Sequence, residues 1–143
     1  MATVNRSITI NAPIEKVFKY TAEPSNLPEI WPSMIEVKDI QPLPNGGTRG
    51  RYVYKMAGMR FEGISEDTEF IPNQRIVSKT EEPVENEVIW EYQSEGEATK
   101  LTFRAEYTVP IPLLGKLAEA FIVKQNENEV ETLLSNLKAR MEA

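Results

Sequence analysis

The sequence predicts an α+β domain, an antiparallel β-sheet of about seven strands curved around one long C-terminal α-helix, with two short helices after the first strand. Three observations carry this prediction. Residues 34–109 alternate apolar and polar side chains between turn signals, the period of strands with one buried face. Residues 112–143 are the only stretch long and periodic enough for a major helix. The lengths also match: about 29 helical residues at 1.5 Å each span roughly 43 Å, and strands of about ten to twelve residues span ~33–40 Å.

In residues 3–10, Val4, Ile8 and Ile10 sit in phase with Arg6 interrupting, which predicts a first strand with one buried face. Asn11-Ala12-Pro13 ends the strand and opens a helix. Pro13 suits the first helical position, where a missing N–H costs nothing, and Glu15 favours the positive N-terminal end. Ile14, Val17, Phe18 and Thr21 form its apolar stripe, about two turns long. Pro24, Pro28 and Pro32 bracket a second helical turn, with Leu27, Ile30 and Trp31 on its apolar side.

Residues 34–40 read as a strand, and Pro44-Asn45-Gly46-Gly47 as a turn. Residues 48–57 place Tyr52, Tyr54 and Met56 on one face and Arg49, Arg51, Val53 and Lys55 on the other. After Gly58, residues 60–71 form a long strand whose register stays open, because both faces carry acids and apolar groups. Pro72-Asn73 turns into residues 74–80, which Glu82-Pro83 ends. Val88, Trp90 and Tyr92 then alternate with Glu87, Ile89 and Glu91. After Glu95-Gly96-Glu97, Leu101, Phe103, Ala105, Tyr107 and Val109 alternate with Lys100, Thr102, Arg104, Glu106 and Thr108, and Pro110-Ile111-Pro112 stops the sheet.

At about 100° per residue, Val123, Val130, Leu133, Leu134, Leu137 and Met141 share one arc of the final helix, and Leu113, Leu114, Leu117 and Phe121 share another. A straight helix cannot bury both arcs against one sheet. The helix therefore bends near residues 115–120, or its first segment faces a different surface. Asn126 and Glu127 interrupt the inward stripe between Val123 and Val130.

Residues 1–143 have the size of one domain with a single core. No apolar run reaches the ~18–20 residues of a membrane helix, and residues 1–6 lack a signal-peptide pattern; a cytoplasmic location is the expectation. The chain has no cysteine and no histidine. That removes thiol nucleophiles, the usual zinc and non-haem iron sites, the Ser-His-Asp arrangement and the commonest general base. A net charge of −6 argues against nucleic acid, whose phosphates need a basic face. Glu62, Glu66, Asp67 and Glu69 lack a metal-loop pattern, so no metal and no cofactor is expected. Arg49, Arg51 and Lys55 read as a solvated sheet face with cross-strand charge pairs.

Strand, two short helices, six antiparallel strands and a long helix, together with three local motifs, resemble the START-like or SRPBCC helix-grip superfamily. Its members include Bet v 1-type ligand binders and polyketide cyclase/dehydrase-like proteins. The motifs are Ile10-Asn11-Ala12-Pro13-Ile14-Glu15-Lys16-Val17-Phe18, Asn26-Leu27-Pro28-Glu29-Ile30-Trp31-Pro32 and Leu133-Leu134-Ser135-Asn136-Leu137-Lys138. The resemblance covers essentially the whole chain. It implies a deep cavity between sheet and helix for a hydrophobic or amphipathic ligand, lipid-like or polyketide-like; it does not imply a reaction.

Tyr52, Tyr54, Trp90, Tyr92, Phe103 and Tyr107 fall on strand faces assigned to the inside. Plain core packing explains any one of them, but the polar atoms of the tyrosines and tryptophan want partners that a dry core supplies poorly. With Trp31, Met56, Phe61, Val123, Asn126, Glu127 and Val130 they form the expected ligand-binding set. Glu127 is an acid–base candidate beside the cavity tyrosines: pointing inward without a cation it would have a raised pKa, while at the edge of the stripe it would reach solvent. Met56, Met59, Leu113 and Leu114 read as an adaptable lip at the pocket mouth, or as a homodimer or transient membrane contact. The expected function is non-catalytic binding or transport of an apolar or amphipathic small molecule in a pocket of about 300–1,000 Å³. Two alternatives stand beside it, a cyclase/dehydratase-like enzyme using cavity Tyr and Glu residues and a protein-interaction domain using residues 113–121.

Overall fold

The structure, a computed structural model, describes residues 1–109 and 115–143. Leu113, Leu114 and the sheet stop at Pro110-Ile111-Pro112 lie outside the described residues. Strand β1 (Ala2–Ile10) leads into α1 (Ile14–Ala22), a 3-10 turn (Pro24–Asn26) and α2 (Leu27–Ile30). Pro13 sits at the flanking cap position, one residue before the first helical residue, and its carbonyl accepts the N–H groups of Lys16 at 3.0 Å and Val17 at 3.2 Å. Six strands follow: β2 (Met34–Pro42), β3 (Thr48–Met56), β4 (Met59–Ile71), β5 (Arg75–Thr80), β6 (Asn86–Glu95) and β7 (Ala98–Tyr107). All pairings are antiparallel, in the order β1-β7-β6-β5-β4-β3-β2. Helix α3 (Lys116–Glu142) closes the fold.

Three bulges shape the sheet by adding a residue to one strand and bending it. In β2 the register shifts between Met34 and Glu36 and again between Lys38 and Gln41, where Asp39 takes a φ of 54°. In β4 it shifts between Asp67 and Glu69. Before that bulge, Phe61, Gly63 and Ser65 lie opposite Tyr54, Tyr52 and Gly50. After it, Phe70 turns to the core and meets Phe18 edge-on, ring centroids 5.4 Å apart. The side-chain parity therefore switches inside one strand, and no single alternation fits residues 60–71. Asp67 anchors the β2–β3 turn. Its carboxylate accepts the Thr48 N–H at 2.8 Å and the Ser78 hydroxyl at 2.7 Å. Gly47 leaves it room, since a Cβ there would stand 2.6 Å from the Asp67 Cβ.

Helix α3 is uninterrupted from Lys116 to Glu142. Val130, Leu133, Leu134, Leu137 and Met141 are buried against β1, β7 and the short helices, with Val4, Ile10, Leu101 and Phe103. Leu117 is 90% exposed and Phe121 64% exposed; these two described residues of the first arc face solvent. The C-terminal half is pinned by polar contacts. Lys16 Nζ donates to the Met141 carbonyl at 2.7 Å, Lys138 Nζ to the Thr9 carbonyl at 2.8 Å and Asn136 Nδ2 to the Ile30 carbonyl at 3.0 Å.

Candidate functional site

The register explains why the inner face of the sheet does not fill completely. Directly opposed residues share a face. One row across the sheet runs Gly50, Ser65, Thr80, Asn86 and Tyr107, and the next runs Ser78, Val88, Ala105 and Val4. Most of these side chains are small. Beside them stands an aromatic wall, where Phe103 meets Trp90 at 4.9 Å and Trp31 at 5.5 Å, both edge-on. Small rows next to a tall one leave a gap beneath α3. That gap is a cavity of about 150 Å³.

Three elements complete the lining. Strand β3 supplies Tyr52, Tyr54 and Met56, the segment after α2 supplies Trp31, Ser33 and Met34, and α3 supplies Asn126, Glu129 and Val130. Ser33 donates a hydrogen bond to the Glu129 carboxylate, tying α3 to the segment after α2. Among the described lining residues only Lys55 is exposed. Its backbone N–H donates to the Ser33 carbonyl at 2.9 Å, which places the mouth where the end of β3 meets that segment. Two other depressions, one along Arg49, Glu66 and Glu82 and one along Asn11 and Glu95, are shallow features of the surface.

Most of the lining is apolar, but three buried polar atoms on it have no fully formed hydrogen bond among the described residues: the hydroxyls of Tyr54 and Tyr107 and the Asn126 side-chain nitrogen. Burial pushes the Tyr54 phenol up to about 12. It raises Tyr107 as well, with the Asn126 amide acting in the opposite direction and Glu127 adding to the rise. Tyr52 is raised by burial and then by the carboxylates of Asp67 and Glu23. At neutral pH these phenols are protonated, and each has a proton to donate.

Nine of the thirteen expected residues lie on this cavity: Trp31, Tyr52, Tyr54, Met56, Trp90, Phe103, Tyr107, Asn126 and Val130. The other four do not. Phe61 stacks on Tyr54 at 5.7 Å from behind. Tyr92 is buried below, its hydroxyl 2.5 Å from Thr21 Oγ1 and its ring 5.0 Å from that of Phe18. Val123 packs on the core. Glu127 turns to β1, where Arg6 Nη2 donates to it at 3.1 Å. The acid that lines the cavity is Glu129. Its signal is present in the sequence, because Asn126, Glu129, Val130 and Leu133 follow the i, i+3, i+4, i+7 spacing of one helix face. Ser65, Ser78, Thr80 and Asn86 were not among the expected residues either, since only strand register shows which face they share.

A sheet wrapped on one long helix with a cavity between them defines a START-like, helix-grip protein. A family model described as polyketide cyclase / dehydrase and lipid transport matches residues 1–142, and the chain belongs to that family. Among solved structures it is similar to TTHA0849 from Thermus thermophilus, at 24% identity over 97% of this chain and 96% of that one, with a TM-score of 0.84. It is similar to a START superfamily protein from Mycobacterium smegmatis at 16% identity, over 99% and 98% of the two chains, with a TM-score of 0.82. The aromatase/cyclase Zhui from Streptomyces matches at 19% identity over 99% and 96%, with a TM-score of 0.78. These likenesses establish the fold alone. No curated protein matches the sequence.

Proposed function

We propose that the protein binds and carries an apolar or amphipathic small molecule in the cavity under α3. One observation carries this reading: an apolar cavity into which three unpartnered polar atoms open. Close-packed interiors leave few voids and rarely strand polar atoms beside them. The family description, with its cyclases and lipid transport, agrees with such a ligand. The cavity is smaller than the 300–1,000 Å³ usual for ligand pockets. A space near 150 Å³ admits a benzene-sized molecule, so the occupant is a small ring compound, or a larger one whose remainder leaves by the mouth at Lys55.

Both tryptophans of the chain line the cavity, so intrinsic fluorescence reports on its occupant. Titration with small aromatic and short-chain amphipathic compounds is expected to shift or quench the emission saturably, and native mass spectrometry to show a co-purifying adduct. A flat emission across the panel with no adduct would overturn the reading. A cyclase/dehydratase-like activity has one observation in its favour, the Glu129 carboxylate beside protonated tyrosines on the cavity wall. Its test is Glu129→Gln: loss of turnover of a polyketide-like substrate with binding retained supports it, and unchanged turnover sinks it.

A further inference from the structure

We propose that the cavity selects molecules carrying a neutral carbonyl oxygen, which the Tyr107 hydroxyl and the Asn126 side-chain amide bind together. The proposal rests on the binding reading above and names the chemistry of the ligand's polar end. Tyr107 ends the polar row of the sheet, directly opposite Asn86, and Asn126 descends from α3 onto the same cavity. The amide lies within hydrogen-bond reach of the Tyr107 phenol and lowers its pKa against the rise that burial causes, yet neither atom completes a hydrogen bond of full geometry with any described residue, and both are buried.

The complement of this pair follows from what its atoms offer. An amide nitrogen has only protons to give, and the phenol gives one more. A hydrocarbon leaves both unpaired and gains nothing from them. A donor such as an ammonium cannot serve Asn126 Nδ2. One carbonyl oxygen, with two lone pairs, serves both.

The surrounding charges decide between a ketone-like oxygen and a carboxylate. Glu129 stands on the cavity wall, and Glu127 acts on Tyr107 from behind. Arg6 already engages Glu127 and Glu131. Lys55 is the lining cation and is exposed at the mouth. A buried carboxylate would face acidic neighbours without a buried cation to pair with, which is costly. A neutral carbonyl avoids that cost.

The test uses three probes of one size on the full chain, acetophenone, ethylbenzene and benzoate, followed through the indole N–H signals of Trp31 and Trp90. The readout is the ratio of acetophenone to ethylbenzene affinity, which cancels the shared apolar contribution. Tyr107→Phe and Asn126→Leu are each expected to lower that ratio about tenfold, the size of one good hydrogen bond. Benzoate is expected to bind most weakly. A ratio unchanged in the folded variants, or benzoate binding as tightly as acetophenone, overturns this proposal and leaves the carrier reading standing. Absence of binding by all three probes overturns both. If one variant does not fold, the other decides.

Discussion

A phenol buried without a partner gives up its hydrogen bond to water and gains none in return, at about 1–3 kcal/mol. Tyr54 and Tyr107 both stand in that position, which makes residue-scale stability and function pull apart. Tyr54→Phe keeps the ring stacked on Phe61 and removes only the stranded hydroxyl. In urea titrations of the unliganded chain, its unfolding free energy is expected to match the parent's or exceed it by about 1 kcal/mol. A loss larger than about 1 kcal/mol would mean that the hydroxyl already has a partner. Arg6 and Glu127 teach the opposite lesson. Each looks misplaced within its own apolar stripe, and the two meet across the β1–α3 interface at 3.1 Å. Two local exceptions that answer each other were legible in the sequence only as a pair.

At the scale of elements, the alternation of β6 and β7 and the spacing of α3 from Val130 to Met141 were readable because their largest apolar side chains are buried on one face; in β3 the alternation misplaces Val53, which is fully buried on the face read as solvated. What escaped depended on neighbours. The β4 bulge changes parity in mid-strand, a feature that local composition does not announce. The face of α3 over the cavity runs through Asn126, Glu129 and Val130; Glu129 lies about 60° to one side of Asn126 and Glu127 about 100° to the other, a choice that the weak stripe between Val123 and Val130 left unfixed. The N-terminal arc, Leu117 and Phe121, faces solvent and gave no core to read. The division of α3 has a measurable consequence. Leu137 is fully buried, and Leu137→Ala is expected to cost about 2–5 kcal/mol through lost burial and the cavity it leaves. Leu117→Ala, at an exposed position, is expected to change stability by less than about 0.5 kcal/mol. Equal losses in chemical denaturation would contradict this division of the helix.

At the scale of the whole molecule, the sequence could show that a curved sheet and a helix enclose space, but not how much. The volume depends on which small residues come into register, and Ser65, Thr80 and Asn86 are brought together from three strands. The same enclosure sets an alkaline limit on stability. All five tyrosines have pKa values raised above 10.0, with burial the leading cause in each. In the unfolded chain they would ionise near 10, while the native state keeps their protons. Above that pH the unfolded state therefore binds fewer protons than the native one, and unfolding becomes more favourable with each further rise. The stability these phenols contribute is complete below about pH 10 and is lost as pH climbs through their folded-state values. Urea midpoints are thus expected to hold level from about pH 8 to 9.5 and then fall, with tyrosinate absorbance rising together with unfolding. A full tyrosinate signal near pH 10 in a chain that remains folded would show that the phenols are open to solvent, and their burial in the fold would have to be given up.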